Sequence, residues 1–130
     1  MADKNAFMFF CSHATEAECI EKQLVGSTQE NAIWTMGINK GDDIYLFNFD
    51  TRTIRGPYSA ASTVDCYDAF AWRGKFPVQV RIVETARTRK ADSNAADAPS
   101  ILSRRLPPHN LGTAAAQLLE WIQKVGKVLD

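Results

Sequence analysis

Between Ile44 and Ala61 the chain reads Ile-Tyr-Leu-Phe-Asn-Phe-Asp-Thr-Arg-Thr-Ile-Arg-Gly-Pro-Tyr-Ser-Ala-Ala. Ile44 to Phe49 is apolar on both faces of a two-residue period apart from Asn48, which is the pattern of a strand covered on both sides. In Asp50-Thr51-Arg52-Thr53 the short polar side chains can bond their own backbone, so a tight turn and a weaker second strand complete a β-hairpin. Pro57 lacks the N–H that a central ladder requires, which predicts an edge strand or a bulge there.

The flanking segments carry their own periods. In Phe7 to Ser12, Phe7, Phe9 and Cys11 project one way and Met8 and Phe10 the other, as in a central strand. Thr15 with Glu18 has the spacing of a capping box, Ala17, Ile20 and Leu24 fall along one helical stripe, and Gly26 stands where a left-handed cap ends a helix. Ala32 to Met36 reads as a short strand carrying Trp34. Asn39 to Asp43 reads as a turn, and Asp65 to Phe70 as a loop or single helical turn. In Pro77 to Val83, Val78, Val80 and Ile82 alternate with Gln79 and Arg81, predicting a strand half open to solvent. Thr85 to Ser100 is small, polar and without period, which predicts a mobile loop. Pro107-Pro108 breaks any short helix begun at Ser100 to Arg105. From an N-cap at Thr113, the stripe Ala114, Leu118, Trp121, Ile122 and Val125 predicts a C-terminal helix packed on the sheet.

The 130 residues fit a single domain, 1–130, able to bury a core without disulfides or metals. No apolar run approaches the roughly 20 residues of a membrane helix, and the apolar run behind Asp3 and Lys4 is too short for a signal peptide. Three cysteines, Cys11, Cys19 and Cys66, cannot all pair and show no Cys-x-x-Cys spacing, so reduced thiols, no metal, no cofactor and an intracellular address (cytoplasmic or nuclear) are expected. Net charge is zero, but the balance is uneven. Residues 1–51 carry three Lys against eight acids, and residues 52–105 ten Lys plus Arg against five. One electropositive face able to meet nucleic acid, or an ordinary solvated surface, both follow from that split.

Taken together, Phe7-Met-Phe-Phe-Cys-Ser, Thr15 to Gly26, Ile44-Tyr-Leu-Phe-Asn-Phe-Asp with Gly56 and Ala60-Ala-Ser62, Ala71-Trp72, and Phe76 to Ile82 closely resemble the development and cell death (DCD) domain. The resemblance spans roughly Phe7 to Val125, while Arg87 to Arg105 shares little of the family pattern. It implies an α+β fold, a curved, barrel-like mixed sheet flanked by helices, and a link to stress responses and programmed cell death. More remotely the layout is similar to the PUA-like superfamily, including YTH domains, which bind N6-methyladenosine in RNA through an aromatic cage. The YTH pattern Trp-Lys-Gly-Arg-Phe is similar to Trp72-Arg73-Gly74-Lys75-Phe76, which implies a cage wall at Trp72. A base-contacting Asn of that family is similar in position to Asp50. Its Lys-Ser-Tyr falls on Cys11-Ser12-His13. The Trp expected after the first helix falls near Gly26 rather than on Trp34.

Each candidate has a plain structural alternative. Trp72 beside Arg73 and Lys75 combines a stacking surface, at about 1–3 kcal/mol per base, with phosphate attraction; it also suits a core position. Asn48 is either a hydrogen-bonded tie or a ligand contact at the sheet's end, and Asp50 doubles as a turn former. Cys11 and His13, if the strand persists, share a face and suggest thiol–imidazole chemistry without a third group to orient it. Arg52, Arg55, Arg87, Arg89, Lys90, Arg104 and Arg105 either converge on an anionic strand or solubilise.

Three functions follow in order. The first is a non-enzymatic binding module whose pocket is bounded by Ser12, His13, Trp34, Asn48, Asp50 and Trp72, for a nucleic acid base or nucleotide such as RNA. The second is a protein-interaction adaptor presenting the strand near Pro57 or the Thr85–Ser100 loop to a protein partner. An enzyme using Cys11 and His13 is third. The sequence leaves oligomeric state open.

Overall fold

The computed structural model describes residues 5–28, 37–94, 96–103, 111–112 and 114–128. Along the chain come β1 (Ala6–Cys11), α1 (His13–Lys22), β2 (Leu24–Ser27), β3 (Asp43–Asn48), β4 (Thr53–Ala60), a 3-10 turn (Ala71–Gly74), β5 (Val78–Val83) and β6 (Arg89–Asp92). A second 3-10 turn (Ser100–Ser103), α2 (Ala114–Val125) and the short β7 (Lys127–Val128) follow. The sheet runs β1-β3-β4-β5-β2, with β6 on β4 and β7 on β6. The β1–β3 pair is parallel, and the other pairs are antiparallel. Its two ends, β1 and β2, come next to each other, which curls the sheet into a barrel-like form.

Apolar side chains on both faces of β1 and β3 are satisfied by two separate cores. Phe7, Phe9, Cys11, Ile44 and Leu46 point into the barrel with Val25, Val80 and Ile82. Met8, Tyr45, Phe47 and Ile54 point outward, where Leu118, Trp121 and Ile122 of α2 cover them. Burial on both sides explains why Ile44 to Phe47 reads as continuous apolar sequence.

Pro57 lies at a bulge rather than on a free edge. The β3–β4 register shifts between Ile44 and Leu46. Opposite β3, residues Thr53–Gly56 of β4 pair with β6, while Ser59 and Ala60 pair with β5. The strand therefore changes partners at Gly56-Pro57, and its bend needs a glycine. Gly56 has φ +143°, and a Cβ there would sit 2.6 Å from Cδ1 of Tyr45. Paired on both sides, β4 offers no free edge near Pro57 to a protein partner.

Other expectations are displaced by tertiary pairing. α1 starts after Ser12 and ends at Lys22, with Gln23 as its left-handed cap (φ 51°), because Leu24 to Ser27 is claimed by the ladder on β5. Gly26 is thus a strand residue. Of the stripe Ala17, Ile20 and Leu24, the two residues that remain in α1 face outward, Ile20 being 41% exposed, whereas Leu24 is buried in β2 and Cys19 is the buried contact of the helix. Gln79 is buried rather than open, since its carboxamide accepts from the N–H groups of Tyr67 (2.7 Å) and Asp68 (2.8 Å) and donates to the carbonyls of Asp68 (2.8 Å) and Phe76 (2.9 Å). Within Thr85–Ser100, expected as a mobile loop, β6 forms through backbone pairing with β4, and only Ala91 of its four residues is buried. The readings for Ala32 to Met36, Arg104 to His109 and Thr113 fall outside the described residues.

Candidate functional site

β1 and β3 run parallel, so their C-terminal ends open side by side, next to the end of β2. A cavity of about 290 Å³ lies there. The rings of Phe10, Phe49 and Phe76 give it apolar walls, and Ser12, Thr15, Ser27 and Thr28 bring hydroxyl groups to it. Cys11, Gly26 and Lys75 complete the lining. A second cavity of about 620 Å³ adjoins it, sharing Thr15 and Lys75 and extending over Ala14, Glu18, Trp72 and Arg73.

Ser12 lines the smaller cavity and starts α1, its N–H donating to Oγ1 of Thr15 at 2.9 Å. The cap is therefore built by Ser12 and Thr15, one turn before the Thr15–Glu18 pair expected from sequence. His13 is exposed at the first turn of α1, and its backbone N–H donates to Oδ2 of Asp50 at 2.9 Å. Asn48 is fully buried, and its Oδ1 accepts from the N–H groups of Asp50 (3.0 Å) and Thr51 (3.1 Å). Its Nδ2 has no partner among the described residues. Asn48 and Asp50 therefore fold the hairpin and hold the start of α1, and neither is among the residues lining the two cavities.

Trp72 is 5% exposed. Its backbone N–H donates to Glu18 (2.7 Å) and its indole Nε1 to the Thr15 carbonyl (3.4 Å), both on α1. Phe76 meets the ring edge-on at 5.4 Å. A Cβ on Gly26 would lie 2.6 Å from Cζ3 of the indole, so the glycine admits the ring against β2. The faces a base would stack on are covered, and Trp72 packs the wall rather than forming an open platform. Trp34 lies outside the described residues.

Arg73 and Lys75 project into solvent from a turn with left-handed backbone: φ is 50° at Trp72, 58° at Arg73 and 77° at Gly74. The two non-glycine residues each cost roughly 1–2 kcal/mol in that region, offset by indole burial and the Glu18 bond. Several other basic residues are already engaged. Arg55 pairs with Glu16 at 3.5 Å, Arg87 with Asp43 at 2.7 Å, and Arg52 donates to the Leu102 carbonyl at 2.8 Å and lies over the Phe47 ring. These arginines brace the fold instead of converging on an anionic strand.

The thiol–imidazole pairing is not formed. β1 ends at Cys11, Ser12 turns the chain and His13 begins a helix, so the two side chains do not share a strand face. Burial, then the nearby Cys19 and Glu16, pushes the Cys11 thiol far above its ordinary range. Such a thiol stays protonated and is a poor nucleophile. Among the described residues, no group of three His, Cys, Asp or Glu side chains is placed to hold a metal, and no helix is long and apolar enough to cross a membrane.

Sequence reasoning passed over Phe10, Phe49, Ser27 and Thr28 as site residues. The usable signal was Phe49, an aromatic side chain at the last strand position before a polar turn. Its alternation opposes Asn48, and it is 43% exposed.

A family model described as Development and cell death domain matches residues 5–95. DCD domain-containing protein NRP-B of Glycine max is 31% identical over 85 residues, covering 59% of this chain and 26% of that protein. B2 protein of Daucus carota is 29% identical over 85 residues, covering 59% of this chain and 41% of its own. The match thus spans about a quarter of the soybean protein and about two fifths of the carrot one. Among solved structures, one titled YTH domain-containing protein mmi1 and RNA complex aligns over 93% of this chain and 85% of its own with TM-score 0.62 at 14% identity. That likeness concerns the fold, a PUA-like curved sheet with helices, and it reaches beyond the family match to include α2.

Proposed function

The chain belongs to the development and cell death domain family, and from that membership and the open mouth at the strand ends we propose a non-enzymatic binding module, one domain over 1–130, that takes a nucleic acid base. The observation that carries the reading is the smaller cavity. Phe49 lies partly exposed among its lining residues, hydroxyl-bearing residues from two strand ends line the same cavity, and Lys75 borders the second cavity as well. A flat aromatic ligand gains stacking on such a ring, at about 1–3 kcal/mol per base, while hydroxyls and backbone groups read its polar edge. The RNA named with the structural neighbour supports that ligand class. Ser12, Phe49 and Lys75 are the contacts. His13, Asn48, Asp50 and Trp72 build the wall behind them. Free, protonated thiols at Cys11 and Cys19 suit an intracellular setting.

Amide-shift titration with ribonucleosides and short RNA tests this. Saturable shifts centred on Ser12, Phe49 and Lys75, lost in Phe49→Ser while the folded spectrum persists, are the expected result. A flat response at millimolar ligand would remove the base pocket.

A second reading, a protein-interaction adaptor in stress or cell-death signalling, draws on Phe70, which is 90% exposed. A partner retained after nuclease treatment and released by Phe70→Ser would favour it.

A further inference from the structure

Resting on the base-pocket reading, we propose that the ligand is a single-stranded chain of at least two nucleotides rather than a free nucleoside. One base enters the smaller cavity, and the adjoining sugar–phosphate runs across Lys75 into the larger one, where Arg73 meets the next phosphate. Three observations converge on this path. The two cavities are neighbours that share Thr15 and Lys75 as lining residues, so Lys75 borders both. The larger cavity exceeds the smaller by more than twofold in volume, about 620 against about 290 Å³, and its described aromatic, Trp72, is 5% exposed, so it offers room for a backbone and little surface for a stacked base. The Trp72–Lys75 turn holds two cations outward, and its Trp72 and Arg73 sit on left-handed backbone that the fold must sustain against its own preference, a feature that concentrates at ligand clamps. The carboxylate in this cavity, Glu18, is bound to the Trp72 N–H at 2.7 Å and holds that turn.

Phosphate recognition by exposed Lys and Arg is read out as salt dependence, because each neutralised phosphate of a single strand contributes about 0.7 to the slope of log affinity against log salt. The experiment compares the four ribonucleosides with the four matching homotrinucleotides by amide-shift titration between about 50 and 200 mM salt. The trinucleotide of the preferred base should bind at least about tenfold tighter than its nucleoside, with a slope near −1.4 from two phosphates. In the double variant Arg73→Asn, Lys75→Gln the excess of trinucleotide over nucleoside, both measured on that variant, should vanish and the slope fall toward zero, while the folded spectrum stays as it was. Asn tolerates the left-handed backbone at 73. Lys124→Gln on α2, which packs on the opposite face of the sheet, should leave both affinities in place. A trinucleotide that binds within twofold of its nucleoside, or a double variant that keeps the excess, overturns the proposal and leaves the base pocket standing. Silence from nucleosides and trinucleotides alike overturns both.

Discussion

The carboxylate of Asp50 accepts a hydrogen bond from the backbone N–H of His13 at 2.9 Å, across 37 positions of sequence. Asp50 belongs to the hairpin turn and His13 to the first turn of α1. One bond therefore fixes the two segments that frame the mouth. The carboxylate also sits where the helix dipole favours negative charge.

Asp50→Ala should lower stability by about 1 kcal/mol, the usual cost of losing a helix N-terminal acceptor. Asp50→Asn keeps an acceptor and should cost less. Denaturant midpoints of the two variants check the order, and an Ala variant as stable as the parent would mean that the bond contributes nothing in solution.

Gly26 and Trp72 form a second coupled pair. Gly26→Ala forces a methyl group into a 2.6 Å approach to the indole and should cost about 1–3 kcal/mol as overpacking. Trp72→Ala should cost about 3–5 kcal/mol through the cavity it leaves. Trp72→Phe should make Gly26→Ala cheaper, so a double-mutant cycle should give a coupling of about 0.5–3 kcal/mol. Additive costs would argue against the packed wall.

The buried thiols tie stability to alkaline pH. Burial pushes Cys19 up to about 12 and Cys11 further, from an ordinary value of 9.0. Raised values in the fold mean that the unfolded chain releases these protons first, so their contribution is intact below about 9 and declines as pH climbs above it. Stability measured from pH 7 to 10 should fall, and Cys11→Ala with Cys19→Ala should flatten the slope even as it lowers the plateau. In native conditions the exposed Cys66 should be alkylated ahead of both.

Arg73 is an exposed residue on left-handed backbone, φ 58°. Arg73→Gly or Arg73→Asn should therefore raise stability, by up to about 1 kcal/mol, while weakening oligonucleotide affinity. Thermal unfolding measures the first effect and titration the second. A destabilised Asn variant would show that the side chain is held by contacts stronger than the strain.

Much of the architecture was legible along the chain. A strand covered on both faces shows continuous apolar residues, so β1 and the β3–β4 hairpin stand out at Phe7 to Cys11 and Ile44 to Phe49. The Leu118, Trp121 and Ile122 stripe gives α2 in the same way. β6 left no trace, since a strand held by backbone bonds and burying one alanine imposes almost nothing on side-chain type. The end of α1 was misplaced for a related reason: helical spacing through Leu24 is locally sound, and only the ladder between β2 and β5 takes those residues away.

The site divides along the same line. Local sequence decides that a polar turn follows Phe49, that Ser12 starts a helix, and that Arg73 and Lys75 flank a glycine. Which aromatic group faces the ligand is a tertiary outcome. Trp72 looks like the stacking surface by residue type, yet the missing side chain at Gly26, 46 positions earlier, lets the indole sink into the wall and leaves Phe49 at the rim. Side-chain type is written at one position, whereas exposure depends on what the distant chain places against it.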